Sequence, residues 1–110
     1  MKLDAVRRHA LALPEAVEQP HFERTSFRVR GKIFATAAQD GQHLHLFVDE
    51  QQRERALAMY PAFTEPLRWG DKVVGLRLTL RGAPPATVQR LLQQAWAHRG
   101  PKSTPRNGAG

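Results

Sequence analysis

The chain contains no cysteine. Disulfides, thiolate nucleophiles and cysteine-held zinc are therefore excluded. No apolar stretch is long enough to span a bilayer. The opening residues, MKLDAVRRHA, place Arg7 and Arg8 where an export signal needs its apolar run. The expected setting is thus the cytoplasm, with no membrane partner. Acidic side chains are also scarce, 10 against 17 basic ones, for a net charge of +7. The deficit is uneven: residues 72–99 carry five basic residues and no acid. Arginine supplies 13 of the 17 basic residues. Its planar fork makes it the better bidentate ligand for phosphate, although the same charge also serves simple solubility.

At 110 residues the chain reads as one domain, able to bury about two-thirds of the surface its unfolded form exposes. Leu3, Val6, Ala10 and Leu13 recur at helical spacing, and Pro14 forbids continuation. A first helix over about residues 2–12 and a polar connector through Pro20 and His21 follow from this. The stretch TSFRVRGKIFAT then alternates on both sides of Gly31-Lys32. It reads as a hairpin with a type II′ turn at those two residues. That register pairs Val29 with Phe34 and Arg28 with Ala35. Asp40-Gly41 turns the chain into a third strand, HLHLFV. Asp49 is a good helix N-cap, with Gln52 three residues on. That helix stops before Pro61, and PAFTEPLRWGD reads as a loop or a short irregular strand whose Phe63, Leu67 and Trp69 plug the core.

KVVGLRLTL is the clearest strand. Pro85 suits the first turn of a last helix, whose Val88, Leu91, Leu92, Ala95 and Trp96 form a broad apolar stripe. Gly100-Pro101 ends it. Residues 1–99 are thus expected to form a single domain, and residues 100–110 a flexible tail. The element order predicts a two-layer α+β fold, α-β-β-β-α-β(β)-α. Its antiparallel β-sheet is covered by helices on one face, with Phe27, Val29, Phe34, Leu44, Leu46, Leu76 and Leu78 inside.

The other face collects Arg28, Arg30, Ile33, Ala35, Ala37, His43, His45, Phe47, Val73, Gly75, Arg77, Thr79 and Arg81, with no carboxylate. Arginines grip phosphates and an aromatic ring stacks a base, so the face reads as a nucleic-acid surface. Arg28, Arg30, Arg77 and Arg81 are assigned to phosphate, Lys32 to a reach from the hairpin tip, and Phe47 with His43 or His45 to stacking or hydrogen bonding. The alternative is a protein-binding adaptor or a self-associating domain using the same face. His43-x-His45 has the spacing of a metal pair but lacks a carboxylate beside it, so no metal is expected. No nucleophile stands with an oriented base, so neither an enzyme nor a cofactor is expected. Trp69 and Trp96 read as core anchors.

Several of these residues form a pattern. Leu13-Pro14, then Phe27-x-Val29-x-Gly31-Lys32-x-Phe34-Ala35, Trp69-Gly70, and Leu91-Leu92 through Ala95-Trp96 to Pro101-Lys102 resemble the MmcQ/YjbR family of small bacterial proteins. The likeness covers about residues 3 to 102. It implies an α-β(3)-α-β(2)-α layout, similar to the double-wing domain of a phage transcription factor, and a DNA-binding label that rests on fold analogy. Many members carry a tryptophan followed by Thr and Val at the start of the last long strand. Here that stretch is Lys72-Val73-Val74-Gly75.

Overall fold

The structure is a computed structural model that describes residues 1–100. In chain order the elements are α1 (Leu3–Leu11), β1 (Ala16–His21), β2 (Arg24–Val29), β3 (Lys32–Ala37), β4 (His43–Leu46), α2 (Glu50–Met59), β5 (Thr64–Trp69), β6 (Lys72–Thr79) and α3 (Pro85–Arg99). The strands form one antiparallel sheet in the order β1-β2-β3-β4-β6-β5. The helices cover one face of it, which is the two-layer α+β fold the sequence predicts. Beyond Gly100, the expected tail lies outside the described residues.

Local chemistry sets the helix ends. Val6 and Ala10 of α1 face the core. The Asp49 carboxylate accepts the Gln52 amide hydrogen at 2.7 Å and starts α2. Pro85 opens α3, which buries Val88, Leu91, Leu92 and Ala95. These meet Phe27, Val29, Phe34, Leu44, Leu46, Leu76 and Leu78, all fully buried. Trp96 is only half-buried, and its indole N–H donates to the Pro14 carbonyl at 2.9 Å, tying α3 to the end of α1.

Three expectations need correction. The first concerns the connector, which contains β1. Its signal is hidden because Glu18, not an apolar residue, points toward α1. There the carboxylate accepts from Arg7 at 2.9 Å and from the Thr25 hydroxyl at 2.8 Å. Pro20 in β1 and Pro66 in β5 are tolerated because both are edge strands.

The second concerns the β2–β3 turn. Val29 pairs with Lys32, so the turn residues are Arg30 and Gly31, with φ of +52° and +80°. Positive φ at both central residues is the type I′ form, whose twist matches that of the strands. The register therefore slips by two residues from the expected type II′ pairing beside the turn, and by one beyond the bulge. Arg28 then faces Ile33 and Phe27 faces Ala35, which leaves Phe34 as an extra residue in β3. This bulge breaks the alternation. Phe34, Ala35 and Ala37 all reach the core, and the two alanines leave the open face to which simple alternation assigns them. The third concerns Trp69, which is 81% exposed beside the β5–β6 turn and anchors nothing.

Candidate functional site

Pleating decides which side chains reach the uncovered face. Leu44 and Leu46 of β4 are buried in the core, so His43 and His45 point the other way. Cross-strand partners share a side, and the register carries that assignment outward. His45 stands opposite Thr36 and Arg77, Thr36 opposite Ser26, Ser26 opposite Gln19, and Arg77 opposite Glu65. One row thus crosses all six strands. Two residues along β2 from Ser26, in opposite directions, lie Arg24 and Arg28. Arg28 is flanked by Val17 and Ile33, and Arg24 by His21. Gly75 and Leu67 sit opposite one another beside Phe47.

Each guanidinium on this face is held differently. The Arg77 Nη1 donates to Glu65 Oε2 at 2.8 Å. The Arg28 Nε donates to the Ser26 hydroxyl oxygen at 3.0 Å, and Ser26 in turn donates to the Gln19 carbonyl at 2.8 Å. The Arg24 Nη1 is buried with no hydrogen-bond partner. Beside them, His45 is held neutral at pH 7. Burial, then the charges of Arg24, Arg77 and His43, push its pKa down to about 4, against an opposing pull from Glu65. At the rim, His43 Nδ1 lies 3.2 Å from Asp40 Oδ2. The Gln42 backbone N–H, above all, holds that carboxylate below its ordinary range.

The sequence-predicted residues divide into two groups. Arg28, Arg77, His43 and His45 come together on the uncovered face, with Phe47 at its lower end. Phe47, however, is half-buried beside Gly75 with the Arg99 guanidinium 5.1 Å from its ring centre, so its stacking partner is already an arginine of α3. Arg30 does not join the face. It sits in the turn and is paired with Glu15 by two contacts of 3.2 Å. Lys32 is exposed at the start of β3, lining a cleft with Ile33, Phe47, His98 and Arg99. Arg81 lies past the end of β6, beside Met1, Lys2 and Gly41.

Two residues that matter were not foreseen. Arg24 extends the alternation of Ser26 and Arg28 by one more step, a signal present in the sequence. Glu65 belongs to β5, which the sequence shows only weakly, so the expectation of a face free of carboxylates fails. Among the described residues no three His, Asp or Glu side chains gather as a metal-ligand set. None of the helices described is long and apolar enough to cross a membrane.

The YjbR family model matches residues 11–98. The chain belongs to the YjbR family. Its fold is similar to a crystal structure of a Deinococcus radiodurans protein with a DUF419 domain. The TM-score is 0.73 at 24% identity, covering 86% of this chain and 75% of that one. No match was found among curated proteins. Within this YjbR domain the family-like hairpin Phe27 to Ala35 forms β2, its type I′ turn and the bulge of β3.

Proposed function

We propose that this YjbR protein is a non-enzymatic binding domain whose uncovered sheet face contacts the phosphates of nucleic acid, with DNA as the expected partner. The observation that supports this most is the gathering of Arg24, Arg28 and Arg77 on one sheet face, where Glu65 pairs with Arg77 alone among them. Guanidinium groups on a broad, shallow surface suit a repeating polyanion better than a small substrate, which needs a concave and mostly apolar pocket. The extended arginines contact phosphate oxygens and position the strand. His43 and His45 supply polar edges between them.

The test is the salt dependence of binding to a short DNA duplex. Three engaged arginines give a log–log slope near about −2.7, taking ~0.9 per phosphate. Replacing Arg28 and Arg77 by alanine should shallow it by roughly 1.8. Replacing Lys102 and Arg106 is the control of equal charge. If the control weakens binding as much as the face variant does, binding is a general attraction of a +7 protein and the reading is wrong.

A second reading, a protein-binding or self-associating surface, draws support from two exposed aromatics. Phe22 is 94% exposed at the β1–β2 turn and Trp69 is 81% exposed at the β5–β6 turn. Sedimentation of the wild type and a Phe22→Ser/Trp69→Ser variant separates the cases. A monomer in both removes self-association.

A further inference from the structure

On the uncovered face two nitrogens stand out. Arg24 Nη1 and His45 Nε2 are both buried, and no protein atom accepts or donates to either. An unpaired buried donor is costly, and native structures rarely leave one without a partner. Two neighbouring acceptors are already engaged. Glu65 takes the Arg77 hydrogen bond, and the Ser26 hydroxyl is held between Gln19 and Arg28. The two nitrogens belong to one spot. His45 is the direct cross-strand neighbour of Arg77, and Arg24 acts on the imidazole more strongly than Arg77 does. Arg24 lies on the same face one side-chain step along β2 from Ser26, so its long side chain is diagonal to His45 across β3, where Thr36 is short.

We infer that Arg24, His45 and Arg77 form a seat for a single phosphate group, with Arg24 Nη1 and the His45 Nε2–H as its donors and Arg77 supplying charge from the opposite side. This inference rests on reading the face as a phosphate-binding surface, and it adds a defined site within it. The two donors and the Arg77 charge come from three different strands, so they do not present the single flat fork that suits a planar carboxylate. A tetrahedral oxyanion, with oxygens pointing in several directions, satisfies them together. Before the anion arrives His45 is neutral, held so by burial and by the charges of Arg24, Arg77 and His43. Both nitrogens are sealed from solvent, so the anion enters as the long Arg24 side chain swings aside. The phosphate has two sources, a diester of a nucleic-acid backbone or a free phosphate ion.

The experiment follows the His45 side-chain resonances by NMR at pH 7 while inorganic phosphate is added, with sodium chloride of matched ionic strength as the reference. The seat predicts a saturable shift with phosphate and none with chloride. Arg24→Gln should weaken the response at least about tenfold, the loss expected for one charge-assisted bond. Arg24→Lys, which keeps the charge without the fork, should weaken it less, and Arg30→Gln should leave it unchanged. A dispersed amide spectrum confirms that each variant is folded. Repeating the titration with duplex DNA separates the sources. A shift with both probes assigns the seat to the backbone, and a shift with phosphate alone assigns it to the free ion. If neither probe moves His45, or if Arg24→Gln leaves the response intact, the seat does not exist and water satisfies the two nitrogens. The wider nucleic-acid reading would then stand or fall on its salt slope alone.

Discussion

Glu65 offers a gain-of-binding test that a generic charge effect does not mimic. It is the carboxylate that answers Arg77, through a 2.8 Å bond across β5 and β6. Glu65→Gln removes that competitor and releases the guanidinium toward solvent. If the released Arg77 engages one phosphate fully, the log–log salt slope steepens by ~0.9, which is about an eightfold gain in affinity at 0.1 M salt relative to 1 M. The cost in stability is small. The two side chains are 34% and 54% exposed, and such a pair contributes ~0.2–1 kcal/mol. Glu54→Gln is the matched control. It changes the net charge equally and breaks a comparable pair, Arg53–Glu54 at 3.0 Å, but on α2 in the helical layer. Fluorescence anisotropy of a labelled duplex across a salt series reads both variants. A steeper slope for Glu65→Gln than for Glu54→Gln is the expected result. Equal gains would show that DNA senses only net charge, and the assignment of Arg77 to the interface would be refuted.

The fold and the electrostatics give three further outcomes. Leu78→Ala removes a fully buried side chain of β6, and urea unfolding should show a loss of ~2–5 kcal/mol. Gly75→Val should also destabilise, by ~1–3 kcal/mol or more. A Cβ there would lie 2.7 Å from the Leu46 carbonyl oxygen and 3.3 Å from the Phe47 ring, and an unchanged urea midpoint would refute the close approach of β4 and β6. For His45 the folded pKa of about 4 lies below the ordinary value of 6.5. Between those values the unfolded chain binds the extra proton, so stability falls as pH drops from 6.5 toward 4. His45→Gln should lose less stability between pH 7 and pH 5 than the wild type does, and equal losses would place the titration elsewhere.

The sequence is a good guide where alternation is unbroken and a poor one where a single residue breaks it. β4 and β6 are legible because leucines and polar residues alternate cleanly from His43 to Leu46 and from Leu76 to Thr79. That alternation places His43, His45 and Arg77 on the face where the structure has them, and Arg28 joins them from β2. The β2–β3 turn is ambiguous in the sequence because glycine suits both Gly31-Lys32 and Arg30-Gly31. The choice fell to a non-glycine residue, Arg30, adopting positive φ. The bulge at Phe34 has no marker in the sequence, since a Phe-Ala pair is equally at home in regular strand. β1 was hidden by a carboxylate at an inward position, whose partner Arg7 is eleven residues away on a helix. Glu65 entered the site through an edge strand carrying a proline, the residue that argues most strongly against a strand.

The most direct test of the account is to map the DNA-bound surface by NMR, following backbone amides and arginine Nε–H groups as a short duplex is added at low salt. The account predicts the largest shifts at Arg24, Arg28 and Arg77 and at the amides of β2, β4 and β6 between them, with α2 and α3 unaffected. Shifts concentrated on the helical layer, or spread evenly over all exposed arginines, would contradict it.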